Sequence, residues 1–331
     1  MDKVKFPKLY CPFPSYVNQH AEAVDNHILE WVNKFNLVTN HEHFERLRKS
    51  KFGRLAARAY PDAPLEELKI VAVWNTWLFI RDDLCDESGL GKNPDLLSEV
   101  HDELLEVLKG RAPQEYDSAL SHALFDIRKR LLLKASPAWM CRFINSVIEY
   151  FDSSLWEAQN RASGILPETG VYILMRPYTG GLYTDIDLID IAEDIYLPLH
   201  VRKHEVVQRL ALMANNVVCW SNDIISYAKE SKHQDVHNLV ATLLATQPNL
   251  QKAVDMAADL INTEVHAFIE LENRLPFFSP EINRDLQRFV AVLRSWMRGN
   301  LDWAYESGRY KIESDVSEKE NGEANAVTEC S

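Results

Sequence analysis

The chain has 331 residues and is 46% hydrophobic, enough for a sizeable core, and its 11 glycines are few for doubly wound nucleotide folds or all-β folds, which spend glycine in their turns. Its 49 acidic and 36 basic side chains give a net charge of −13, which repels a phosphate backbone and argues against a nucleic-acid partner. Five cysteines, an odd number spaced far apart, outline neither a disulfide framework nor a zinc knuckle, and point to a reducing, cytoplasmic setting.

Residues 1–19 carry three prolines in the first fourteen positions and no apolar signal core, and they read as an extended arm. From His20 to Tyr310, apolar residues recur three and four apart without sustained alternation, which predicts an all-α chain. No glycine- or proline-rich linker divides residues 20–310, so one domain is expected. The longest apolar stretch, Ile70 to Ile80, is interrupted by Asn75 and Thr76 and is half the length that spans a bilayer, so no membrane anchor is expected.

That stretch leads into WNTWLFIRDDLCDE, residues 74–87, where Val71, Trp74 and Leu78 trace one helical stripe that reaches Asp82 four residues later. Asp82 and Asp86 project from successive turns with Asp83 beside them. Carboxylates crowded at the end of an apolar face repel one another unless a cation bridges them, and hard oxygen donors suit Mg2+. Taken alone, such a cluster also occurs as a solvated helix end. The following SGLGKNP, with Gly89 and Gly91, ends in proline where a dinucleotide fingerprint wants a third glycine, and reads as a loop.

In RPYTGG, residues 176–181, Pro177 and the Gly180-Gly181 pair disrupt regular helix hydrogen bonding and leave a carbonyl free to turn toward a ligand, or form a kink without function. In NDIISYAKE, Asn222, Ser226 and Glu230 stand at i, i+4 and i+8 and face one way along a helix. An amide oxygen, a hydroxyl and a carboxylate make a weak chelate suited to a Mg2+ ion that shares a phosphorylated substrate, and Lys229 is placed to touch the same phosphate. The pairs His200/His204 and His233/His237 lack a third ligand at fixed spacing, and the lone Glu230-x-x-His233 falls short of a di-iron bundle. No Gly-x-Ser-x-Gly elbow supports a serine hydrolase.

Ser279-Pro280-Glu281 predicts a helix start, with a serine cap, proline at the first position and an acid near the positive end of the dipole. The stripe Leu286, Phe289, Leu293, Trp296, Asn300 and Trp303 leads from it toward Arg309-Tyr310, whose guanidinium and phenol both donate to phosphate oxygens. Residues 311–331 hold six acids and two lysines with almost no large apolar side chains, the composition of an acidic disordered tail.

Together, Asp82-Asp83-x-x-Asp86 and Asn222-Asp223-x-x-Ser226-x-x-x-Glu230 resemble the two metal motifs of microbial class I terpene synthases, in order and in separation. Chain-elongating prenyltransferases carry a second aspartate-rich motif where this chain has the Asn/Ser/Glu triad, so the resemblance is to a cyclase. It implies a single-domain helical bundle around a central apolar cavity, three Mg2+ ions, and a prenyl diphosphate substrate. Farnesyl diphosphate is the expected substrate and a cyclic sesquiterpene the expected product. Geranylgeranyl diphosphate, chain elongation and a non-catalytic helical binding module are the alternatives, and the oligomeric state, monomer or homodimer, stays open.

By the same resemblance Arg176, Thr179 and Gly180 match the diphosphate-sensing arginine, linker and effector, and Arg309-Tyr310 the terminal pair that grips diphosphate together with Lys229. Aromatic faces stabilise a carbocation without attacking it, and Phe79 and Trp303 are the expected cavity aromatics, with Tyr172, Phe151 and Trp156 as further candidates. Bulk water would quench such a cation, so the site is expected to close, with the arm helping to cover its mouth.

Overall fold

The computed structural model describes residues 5–233 and 235–310, apart from the side chains of residues 86–88 and 233. The acidic tail at 311–331 and the side chain of Asp86 therefore lie outside the described residues. Among those residues the regular elements are fourteen α-helices and two short 3-10 turns, with no strand.

The apolar run that is too short for a membrane belongs to α4 (Leu65–Ser88), where Val71, Ala72, Val73 and Trp74 are all fully buried. A helix apolar all round belongs at the centre of a bundle. Its indoles are pinned at their polar edges: Trp74 Nε1 donates to Thr184 Oγ1 at 2.9 Å and Trp77 Nε1 to the Leu120 carbonyl at 3.0 Å. No helix among the described residues is long and apolar enough to cross a membrane.

With α3 (Phe52–Ala59), α7 (Pro137–Ser163), α8 (Thr169–Thr179), α9 (Leu182–Glu193), α11 (Glu205–Glu230) and α14 (Pro280–Glu306), α4 forms the wall of a cavity. Helix α14 starts as its sequence predicts, with Ser279 Oγ accepting from the Ile282 N–H and Pro280 in the first turn. Its stripe Leu286, Phe289, Leu293, Trp296, Asn300 and Trp303 is buried throughout. Helices α8 and α9 are one helical path broken at residues 180 and 181, where Gly181 takes a left-handed φ of 69° that glycine adopts at low cost.

The described part of the arm, residues 5–19, lies along the outer face of α13 (Leu250–Glu272) and α14. Tyr10 stacks on His266 at 4.4 Å, its N–H donates to Asn262 Oδ1 at 2.7 Å, and Phe13 is buried edge-on against Phe268. Contrary to expectation, none of these residues lines the mouth of the cavity, because the arm's aromatic rings find their partners on that flank instead.

Candidate active site

The cavity has apolar and polar side chains on its inner wall and a polar, charged opening. Leu55, Leu78, Phe79, Leu182 and Val218 line the interior, while Asp83, Ser226, Lys229, Arg309 and Tyr310 line the mouth, and Asp82, Asn222 and Glu230 border both. The last turns of α4 and α11, some 140 residues apart in sequence, thus meet at one opening, beside the end of the described chain.

On the α4 side Asp82 is exposed and Asp83 half-buried. Arg309 grips Asp83 through a two-pronged fork, Nη1 to Oδ2 at 3.1 Å and Nη2 to Oδ1 at 3.0 Å, and Lys229 Nζ stands 3.8 Å from the same carboxylate. Burial alone would raise Asp83, but the two cations outweigh it and hold the carboxyl below its usual range. The Arg309 guanidinium also lies over the Phe79 ring at 4.6 Å and the Phe52 ring at 5.6 Å, so Phe79 is fixed with one face on a cation.

On the α11 side Asn222 donates from Nδ2 to Tyr310 Oη at 2.7 Å and accepts at Oδ1 from Arg176 Nη2 at 3.3 Å. Ser226 Oγ donates back to the Asn222 carbonyl at 2.8 Å, which leaves its lone pairs for another partner. One turn further, Glu230 Oε2 accepts from Asn238 Nδ2 at 2.8 Å. Burial, reinforced by nearby Asp223, raises Glu230 to about 7.

The sequence reading gave Asp223 no role, yet it organises this side. It receives Arg176 Nε and Nη2 at 2.9 and 2.8 Å, the Tyr172 hydroxyl at 2.7 Å and the Leu239 N–H at 3.1 Å, and its own carbonyl accepts from Asn238. Burial opposes the Arg176 charge, but the Asp223 carboxylate beside it more than offsets that and holds the guanidinium charged. The only signal in sequence was its place inside the motif. Arg161, Glu157 and Asp235 were missed altogether: they line the cavity rim, with Arg161 Nη2 3.0 Å from Asp235.

At the helix break Arg176 Nη1 lies 3.4 Å from Thr179 Oγ1, and among the described residues no hydrogen bond ends on the Gly180 carbonyl. A Cβ at Gly180 would fall against Cys219 Sγ, so one of the two must shift. Arg176, Thr179 and Gly180 all line the cavity.

The aromatics divide. Phe79 lines the cavity, but Trp303 does not: its indole N–H is shared between the Ser50 and Lys51 carbonyls at 2.8 and 3.1 Å, and its ring packs behind Phe79 at 5.7 Å. The chain's turn between α2 (His41–Ser50) and α3 thus claims Trp303 as packing. Tyr172 is engaged by Asp223, Phe151 stacks on His101, and Trp156 sits edge-on to His237, so none of the three lines the cavity. His200 and His204 both pack edge-on against Phe278.

Among the described residues no three His, Cys, Asp or Glu side chains cluster into a closed metal centre. The donor set at the mouth is instead all oxygen, split between two helices and open on the cavity side, which fits a hard divalent cation completed by water and a phosphorylated ligand. Asp82, Asp83, Asn222, Ser226 and Glu230 are the residues that could hold it.

The chain is similar to known proteins over most of its length. Residues 73–267 match the family described as terpene synthase family 2, C-terminal metal binding. The germacrene A synthase of Nostoc punctiforme is 42% identical over 94% of this chain and 96% of its own length. The (+)-T-muurolol synthase of Roseiflexus castenholzii is 40% identical over 94% and 95%. Among solved structures, an α-eudesmol synthase superposes with a TM-score of 0.81 at 26% identity, covering 91% of this chain and all of that one.

Proposed function

Because the chain belongs to the terpene synthases and is a class I terpene synthase, a lyase that uses a divalent metal, we propose that it ionises farnesyl diphosphate with Mg2+ and cyclises the allylic cation to a sesquiterpene. The observation that carries this reading is the meeting of the Asp82-Asp83 turn and the Asn222-Ser226-Glu230 face at the mouth of one cavity whose inner wall includes Leu55, Leu78, Phe79, Leu182 and Val218. The C15 substrate is supported by a relative named for cyclising (2E,6E)-farnesyl diphosphate. A cytoplasmic setting fits the thiol usage.

Asp82, Asp83, Asn222, Ser226 and Glu230, with Asp86 by its place in the sequence, would hold three Mg2+ ions. Bound there, the metal neutralises charge on the departing diphosphate. The protein's own groups do the rest. Arg176, Lys229, Arg309 and Tyr310 donate to the diphosphate oxygens and orient the prenyl chain toward the interior. Leu55, Leu78, Leu182 and Val218 keep bulk water from the cation, and the Phe79 face stabilises it without attacking.

The Arg176–Gly180 segment offers a sharp check. In Gly180→Ala the new methyl must displace Cys219 and with it the break that presents Arg176 to the cavity. Steady-state diphosphate release should show kcat lower by about 100-fold, the usual consequence of misplacing a positioning group by roughly 1 Å. A wild-type kcat would remove the segment from the reaction.

The reading as a whole is tested by incubating the protein with C10, C15 and C20 prenyl diphosphates and Mg2+, and analysing products by gas chromatography and mass spectrometry. The expected result is a cyclic C15 terpenoid, lost on adding chelator. A preference for the C20 substrate, a longer prenyl diphosphate when isopentenyl diphosphate is added, or no turnover at all would overturn it.

A further inference from the structure

The deep end of the cavity carries polar atoms for which a hydrocarbon offers no partner. Asn75 sits on α4 one turn below Phe79 and two turns below Asp82, 2% exposed, and neither its amide oxygen nor its amide nitrogen has a hydrogen-bond partner among the described residues. Asp185, on α9, is 4% exposed and its Oδ1 is equally unpartnered. Both side chains line the cavity. Their helices are fixed to each other one residue earlier, by the 2.9 Å bond from Trp74 to Thr184.

Buried polar atoms without a protein partner are normally satisfied by ordered water, which needs two to four polar neighbours. Asn75 offers a donor and an acceptor. Burial raises the Asp185 carboxyl above its usual range, which makes it a better proton acceptor, and its Oδ1 is free to meet a water. A bundle that had only to enclose an apolar chain would place leucine or valine at both positions.

We propose that Asn75 and Asp185 seat a water molecule at the deep end of the cavity, and that this water adds to the cyclised cation, making the principal product a terpene alcohol. The inference rests on the ionisation proposed above. A lone pair of the water oxygen forms the C–O bond to the cationic carbon, and one O–H bond of that water breaks. Its proton is taken by a carboxylate oxygen of Asp185 and passes to solvent when the site opens to release diphosphate and alcohol. Asn75 positions the water, and Asp185 both positions it and accepts its proton.

The test runs the reaction with farnesyl diphosphate and Mg2+ in water labelled with oxygen-18, following diphosphate release and product mass together. The wild type should yield mainly an alcohol carrying the heavy isotope. In Asn75→Leu and Asp185→Leu, made separately so that each stands without the other, the ratio of alcohol to hydrocarbon should fall about tenfold whatever the rate, a partition that a purely structural role would leave in place. Diphosphate release with only hydrocarbon from the wild type, or an unchanged ratio in the variants, overturns the inference while the ionisation reading stands. No diphosphate release overturns the ionisation reading itself, and this inference with it.

Discussion

Asn222→Ala should lose turnover by at least about 1000-fold in kcat/KM while the protein stays folded. The amide joins the groups proposed to grip substrate to the face proposed to hold metal: its nitrogen holds the Tyr310 hydroxyl at 2.7 Å and its oxygen receives Arg176 at 3.3 Å. Alanine removes an oxygen ligand and releases both partners at once. The structural cost is smaller, since the neutral Tyr310 bond contributes about 1 kcal/mol, the Arg176 guanidinium keeps its stronger Asp223 partner, and the side chain is only partly buried at the rim. Diphosphate release and a circular dichroism melt on the same preparation separate the two effects. Turnover within tenfold of wild type, or a collapsed melt, would count against the role given to this residue.

Arg309→Ala should weaken binding of inorganic diphosphate with Mg2+ by about 100-fold, close to 3 kcal/mol. Without ligand the Arg309 charge is matched by Asp83, in a fork that keeps the guanidinium stacked over Phe79 and aimed at the mouth. Its removal leaves Asp83 with Lys229 at 3.8 Å, a looser partner that lacks the planar fork for phosphate. Ligand stabilises a folded protein in proportion to the logarithm of its saturation, so the melting temperature of the variant should rise much less than that of the wild type on adding diphosphate and Mg2+. Equal rises would remove Arg309 from diphosphate capture.

The oxygen-rich faces that meet at the cavity mouth were legible because their information is local. A spacing of four on a helix puts two side chains on one face whatever surrounds it, so the common direction of Asn222, Ser226 and Glu230 follows from spacing alone. The all-α fold and the start of α14 at Ser279-Pro280 were legible for the same reason. What failed was decided by partners far along the chain. Trp303 sits on the expected buried stripe, but which neighbour that stripe meets at its last turn depends on the Ser50 and Lys51 carbonyls about 250 residues earlier. The arm's course depends on Gln251, Asn262 and His266. Asn75 read only as an interruption of an apolar run, and Asp185 passed unnoticed, because an unpartnered polar atom becomes visible only once the cavity around it is built.

The most direct measurement is a crystal structure of the protein soaked with Mg2+ and inorganic diphosphate. Metal bridging the α4 carboxylates and the Asn222-Ser226-Glu230 face is the predicted result, with Arg309 and Arg176 on the diphosphate oxygens. Metal confined to one helix, or diphosphate bound away from the cavity mouth, would contradict it.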